Sequence, residues 1–245
     1  MDKNIHFYNS KVYKSEGILI FMYESRILKL KNVPVFSLAD ISQIVSGKEY
    51  AKKLLRKMVL YDEIKRIKKN IYTFYDDPFL ISTFINKPSY ISSVSALSYH
   101  KIISQIPKDI FCFTLKKEKN INFTSEIKFI QTKYFFGFDD LEYLNFKIPI
   151  ATPEKAIIDS IGLVPISLME EAFENININK MLEYLKKIKK SSILKRIGYL
   201  LEEHNLDIYK KIKKYINNKY IYLDPLAKKY GKRDKRWKLI INTKW

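Results

Sequence analysis

Two helix-start signals nine residues apart constrain this chain more than any other feature of it. Ser37-Leu38-Ala39-Asp40 sets a hydroxyl and a carboxylate at N-cap and N3 spacing, where they satisfy free amide donors, and Ser46-Gly47-Lys48-Glu49 repeats the pattern as a capping box. Only a short helix fits between them, Leu38 to about Val45, and Gly47 supplies the freedom for a sharp reversal into a second helix. In that helix Ala51, Leu54, Leu55, Met58 and Val59 fall at i, i+3, i+4, i+7 and i+8, an apolar stripe that must face a core. The opposite face is left with Lys48, Lys52, Lys53, Arg56 and Lys57.

The flanking segments complete a pattern. Ile64-Lys65-Arg66-Ile67 and Ile71-Tyr72-Thr73-Phe74 are β-prone runs separated by Lys68-Lys69-Asn70, a hairpin with Asn at its turn. A short strand from Pro34 precedes the first capped helix, and a helix-like stretch from about Ser15 to Leu30 precedes that. This order predicts a winged helix-turn-helix. Between Ser46 and Tyr72 stand nine Lys or Arg against three acids, a net of +6, which equals the whole excess of residues 1–85. Phosphate neutralisation supplies most of the affinity of a protein for duplex DNA, so the expected partner is double-stranded DNA. A helix entering the major groove by its N-terminal half presents Lys48, Lys52, Lys53 and Arg56 to bases and flanking phosphates, with Lys57 behind them. Lys65, Arg66, Lys68 and Lys69 on the wing would hold phosphate. A solvated basic face is the competing explanation, in a chain where Lys outnumbers Arg 39 to 6.

Length and composition bound the rest. At 245 residues, 47% of them hydrophobic, the chain buries a sizeable core in one or two domains. The single Cys112 excludes an internal disulfide and a multi-cysteine metal cluster, fits a reducing cytoplasm, and reads as buried strand within Ile110-Phe111-Cys112-Phe113. Gly17 to Tyr23, the most apolar run, is too short to span a bilayer, so a cytoplasmic protein without membrane contact is expected. Lys and Ile richness with only six Gly suggests a prokaryotic source with an AT-rich genome. Residues 86–180 are neutral, with eleven basic against eleven acidic side chains, whereas residues 181–245 carry nineteen against six. The expected architecture is therefore α+β, with a winged domain over residues 1–85 and a mixed α/β domain over 86–245. That second domain has a small sheet and several helices, and its 181–245 portion is basic and helical, a second contact surface.

Along the second domain, Asp77-Pro78-Phe79 caps a short linking helix to about Ile85, and Ser92 to His100 has helical spacing. Asp109 to Leu115, Glu126 to Lys133 and Phe146 to Ala151 read as strands, after which Thr152-Pro153-Glu154 opens a helix. Helical segments follow near Leu168 to Phe173, Lys180 to Ile188, Ser192 to His204 and Asp207 to Ile216. Two strand-like runs, Tyr220 to Leu223 and Trp237 to Ile241, enclose a basic loop.

Specific strings carry a resemblance. Pro88-Ser89-Tyr90-Ile91-Ser92-Ser93-Val94-Ser95-Ala96-Leu97-Ser98-Tyr99-His100, Gln105-Ile106-Pro107-Lys108 and Ile150-Ala151-Thr152-Pro153-Glu154-Lys155-Ala156-Ile157-Ile158-Asp159 resemble the AbiEi antitoxins of abortive-infection and type IV toxin-antitoxin systems. The run Tyr134-Phe135-Phe136-Gly137-Phe138 and the tail strings Tyr222-Leu223-Asp224-Pro225 and Arg236-Trp237-Lys238-Leu239 are similar to the same family. The resemblance spans nearly the whole chain, its most specific element being Ala-Thr-Pro-Glu-Lys-Ala and its least specific the winged domain. It implies a repressor that binds inverted repeats in its own promoter and counteracts a nucleotidyltransferase-like toxin without a stable complex. No catalytic residues, cofactor or metal are expected.

One enzymatic alternative stands beside it. Pro107-Lys108-Asp109, a strand, and Glu126-Ile127-Lys128 on the next strand resemble the P-D…E-x-K arrangement of restriction-type nucleases, in which two carboxylates hold Mg²⁺ and the lysine assists the attacking water. A solitary transcriptional regulator is the other alternative. The serines from Ser89 to Ser95 read as helix caps rather than nucleophiles, and His100 as a residue facing the terminal carbonyls of its helix rather than a metal ligand.

Overall fold

The computed structural model describes residues 23, 25–45, 47–174 and 176–243. The chain forms two compact units, the first ending at Asp76 and the second beginning at Asp77.

In the first unit, residues 25–28 are helical and run into a 3-10 turn, Lys29–Asn32. Most of the helix expected from Ser15 to Leu30 lies outside the described residues. Strand β1 (Phe36–Ser37) leads directly into helix α1 (Leu38–Ile44), and α2 (Lys48–Leu60) follows across a turn of three residues. The first capping box is formed in full, since the Asp40 amide donates to Ser37 Oγ (3.3 Å) while the Ser37 amide donates to Asp40 Oδ2 (2.6 Å). The second rests on Ser46, which lies outside the described residues; α2 begins at Lys48 with Gly47 as its N-cap at φ +108°. Glu49 pairs with Lys52, 2.6 Å away. Gly47 thus supplies the positive φ that the reversal needs.

Strands β2 (Lys65–Lys68) and β3 (Ile71–Thr73) form the expected hairpin, with Asn70 at φ +63° in its turn, and β1 pairs antiparallel with β3. The apolar stripe of α2 does what its spacing demands. Ala51, Leu54, Leu55 and Met58 are buried against Phe36, Leu38, Ile41 and Ile64, while Val59 at the stripe's edge stays 36% exposed. Two bonds fix the hairpin beside the helices: the Leu38 amide donates to the Asn70 carbonyl (3.0 Å), and the Thr73 hydroxyl to the Pro34 carbonyl (2.7 Å).

The second unit opens with α3 (Pro78–Ile85), capped by Asp77, whose Oδ1 accepts from the Phe79 amide at 2.8 Å. This helix packs against the sheet of the second unit, with Leu80 and Ile81 fully buried, so it belongs to that unit's core rather than closing the first domain. The sheet has six strands, β4 (Ser89–Ile91), β5 (Ile110–Thr114), β6 (Ile121–Asn122), β7 (Glu126–Gln131), β8 (Phe138–Tyr143) and β9 (Phe146–Ala151), in spatial order β6-β7-β5-β4-β9-β8. It is larger than the small sheet expected from three legible strands. Every residue of β4 and β5 is buried, so both faces of the centre are covered, as continuous apolar strands require.

Helix α4 (Ser93–Tyr99) packs against α5 (Pro153–Ser160), and α6 (Ile178–Ile188) against α5 in turn. The segment near Leu168 to Phe173 forms two 3-10 turns instead of an α-helix. Helix α7 (Ser191–Glu203) and the short α8 (Tyr209–Ile212) precede a three-stranded sheet of β10 (Ile221–Tyr222), β11 (Lys232–Asp234) and β12 (Leu239–Ile241). The 181–245 portion is therefore helical only in its first half, and the basic loop before Trp237 contains a strand. No helix among the described residues is long and apolar enough to cross a membrane.

Candidate nucleic-acid interface

Helix α2 and the β2–β3 hairpin enclose a groove of about 360 Å³ lined by Lys52, Leu55, Arg56, Val59, Arg66, Lys69, Asn70 and Tyr72, with Leu38 at its end. Its walls follow from the local sequence. Lys52, Arg56 and Val59 stand at i, i+4 and i+7 on the flank of α2, Val59 at the edge of the apolar stripe, and Arg66 and Lys69 come from the strand and turn of the hairpin. Arg66 is held by a bond from Nε to the Lys68 carbonyl (3.4 Å). Four cations line the groove, and no carboxylate does among the described residues.

Not every basic residue singled out in the sequence belongs to this surface. Of the nine, Lys52, Arg56, Arg66 and Lys69 line the groove, whereas Lys48, Lys53, Lys57, Lys65 and Lys68 do not. Lys65 is drawn to Asp76 (2.9 Å) and Asp62 (3.6 Å), and its ammonium is held above the usual lysine range chiefly by the Asp76 hydrogen bond. Lys52 carries Glu49 with it, whose carboxyl the lysine holds below the usual range.

Asp109, Glu126 and Lys128 do come together in the second unit. Strands β5 and β7 run parallel with Phe111 opposite Lys128, so Asp109, just ahead of β5, stands level with the start of β7. Lys128 Nζ lies 2.7 Å from Asp109 and 3.7 Å from Glu126, with all three side chains between a quarter and a third exposed. The Asp109 hydrogen bond raises the Lys128 pKa, so the ammonium occupies the space between the two carboxylates as a fixed positive charge. No group of three or more His, Cys, Asp or Glu side chains among the described residues is placed to hold a metal ion.

A buried polar cluster in this unit escaped sequence reasoning. Lys155 is fully buried, and its Nζ donates to both oxygens of Asp159 (2.5 Å each) and to the Tyr90 hydroxyl (2.6 Å). Ser92 Oγ donates to the same carboxylate at 2.8 Å, and the Tyr90, Phe113 and Phe136 rings surround the ammonium with centroids 5.0, 5.8 and 5.5 Å away. Burial pushes Asp159 up and Lys155 down in pKa, and their mutual attraction opposes both shifts. The i, i+4 spacing of Lys155 and Asp159 was the available signal, but such pairs are ordinarily surface features. The remaining serines are occupied structurally: Ser93 bonds Ser160 (2.9 Å), and Ser95 donates to the Asp109 carbonyl while accepting the Phe111 amide. His100 does not serve its own helix end, because its Nε2 lies 2.8 Å from the Ala151 carbonyl.

Compared with protein-family models and with curated proteins, the chain matches none.

Proposed function

We propose that this chain is a DNA-binding autorepressor and antitoxin of a type IV toxin-antitoxin operon, acting in a prokaryotic cytoplasm without enzymatic activity of its own. Its first unit would serve as the winged helix-turn-helix. The observation that carries the DNA half is the groove between α2 and the hairpin, which four cations line and no carboxylate does among the described residues, although Lys52 is also paired with Glu49 outside it. In this arrangement the flank of α2 enters the major groove while Arg66 and Lys69 grip the adjacent backbone. Contacts to about four to six phosphates give log Kd a salt slope of roughly 4 to 5 in magnitude.

The antitoxin half rests on the resemblance. It is supported by the way two of the resembling strings are joined, since Tyr90 and Ser92 of the first meet Lys155 and Asp159 of the second. A nucleotidyltransferase-like toxin encoded beside the chain is the expected functional partner. Expression of the neighbouring reading frame alone should arrest growth, and co-expression of the full chain, including a Lys52→Ala/Arg56→Ala variant unable to bind the promoter, should relieve it. A harmless neighbour, or no relief, would sink this half.

The meeting of Asp109, Glu126 and Lys128 favours one second reading, a Mg²⁺-dependent nuclease core. Cleavage of supercoiled DNA with Mg²⁺ that disappears in Asp109→Ala/Glu126→Ala would establish it. With Lys128 already neutralising the pair, we expect no cleavage by either protein.

A further inference from the structure

The C-terminal sheet turns one face to solvent, and the strand registers define that face. Tyr222 and Arg233 flank Ile240, so these three side chains share a side of the pleat, and the Tyr220 ring just ahead of β10 lies beside Arg233 and Lys238. Leu239, which alternates with them, is fully buried on the other side. The Arg233 guanidinium lies 5.3 Å from the centroid of the Tyr220 ring and the Lys238 ammonium 5.7 Å from it. Tyr222 ties its hydroxyl to the Lys229 carbonyl (3.2 Å), anchoring a loop on which Tyr230 is 68% exposed.

Most of the charge around this face has no ion-pair partner among the described residues. Residues 217–243 hold eight Lys or Arg against Asp224 and Asp234. Asp224 is buried and accepts the Ile166 and Leu226 amides, and Asp234 accepts the Trp237 amide. Arg236 alone among the eight is paired, with Glu202 and Asp207, among the described residues. Beneath the sheet Lys195 is buried against two neutral oxygens, Asn217 Oδ1 (2.7 Å) and the Lys219 carbonyl (2.5 Å). Burial, then the nearby Lys238 and Arg196, hold its pKa below the usual lysine range. An exposed aromatic ring bracketed by two cations without ion-pair partners among the described residues is the chemistry of base stacking with backbone neutralisation. An acidic peptide would use the cations and leave the ring idle.

We propose that this face binds single-stranded nucleic acid, Tyr220 stacking on a base while Arg233, Lys238 and the neighbouring lysines hold the backbone. The site is independent of the groove in the first unit. The test uses the full chain and fluorescence anisotropy with labelled oligo-U RNA and oligo-dT DNA of about twelve nucleotides, within the size range of single-strand sites. Tyr220→Leu should weaken binding at least about tenfold whereas Tyr220→Phe, which keeps the π face, should stay within about twofold. Arg233→Gln/Lys238→Gln should flatten the salt slope by about 1.4. Lys52→Ala/Arg56→Ala should leave single-strand binding intact, and tighter binding of one oligomer identifies RNA or DNA as the source. The proposal is overturned by failure of the native chain to bind either oligomer, by equal affinities of the Leu and Phe variants, by loss of binding in the groove variant, or by displacement with polyglutamate as effective as with the unlabelled oligomer.

Discussion

Replacing Lys155 with Met isolates what the buried pair contributes. The Met side chain fills most of the aliphatic volume but leaves the Asp159 carboxylate, 7% exposed, with only Ser92 and Tyr90 as partners. Breaking a buried pair from one side costs about 3–5 kcal/mol, because the remaining charge has lost both water and its counter-ion. Against a total stability of about 5–15 kcal/mol this is a large fraction, and for a unit of this size it lowers Tm by about 6–20 °C. Lys155→Met/Asp159→Leu removes both charges and should be less damaging than the single change, with a coupling of about 2 kcal/mol or more. Guanidinium unfolding followed by the fluorescence of Trp237, fully buried in the same unit, reads the effect directly. A single-variant loss under about 1 kcal/mol, or strict additivity in the double variant, would refute the claim that an ion pair organises this core.

Other consequences are equally specific. A Cβ built on Gly198 of α7 would sit 2.1 Å from Trp237 Cη2 and 2.2 Å from Cζ3, so Gly198→Ala should cost about 1–3 kcal/mol and perturb the near-ultraviolet tryptophan signal. Asp207, held below its unfolded value of 3.8 chiefly by the Arg236 hydrogen bond, contributes stability that is present above that value and lost as pH falls through the depressed one. The stability gap between the native chain and Arg236→Gln, measured by thermal melts from about pH 6 to about pH 3, should therefore narrow toward the acid end. The Cys112 thiol, fully buried and pushed up to about 12, should resist thiol reagents in the folded protein and react on unfolding, and prompt reaction of the native state would contradict its placement.

The first unit was legible because its signals are local. The apolar stripe of α2, the Ser37 box and the Asn70 turn each act within a few residues, and each appears where the pattern set it. In the second unit the helices and the strands with apolar runs or alternation, β5, β7 and β9, were legible, while others were not. Strand β8 was missed because Phe138-Asp139-Asp140-Leu141-Glu142-Tyr143 is an edge strand whose acidic residues read as a turn. Strand β4 was missed because three residues beside a proline carry too little periodicity. The candidate site divides similarly: a helical wheel exposes Lys52 and Arg56, but only the hairpin's position selects Arg66 and Lys69 over Lys65, which the distant Asp76 withdraws. Lys155 was invisible as a core residue because nothing local reports that a lysine is enclosed by Tyr90, Phe113 and Phe136.

The central claim is that the groove between α2 and the hairpin reads duplex DNA. Binding of the full chain to the DNA upstream of its own gene, titrated across salt concentrations, tests it when repeated with Lys52→Ala/Arg56→Ala/Arg66→Ala/Lys69→Ala. The account predicts a native slope of roughly 4 to 5 in magnitude, flattened by about 3.6 in the variant, with affinity falling by orders of magnitude and the unfolding transition unmoved. A variant that binds with the native affinity and slope would show that the groove is only a solvated basic surface.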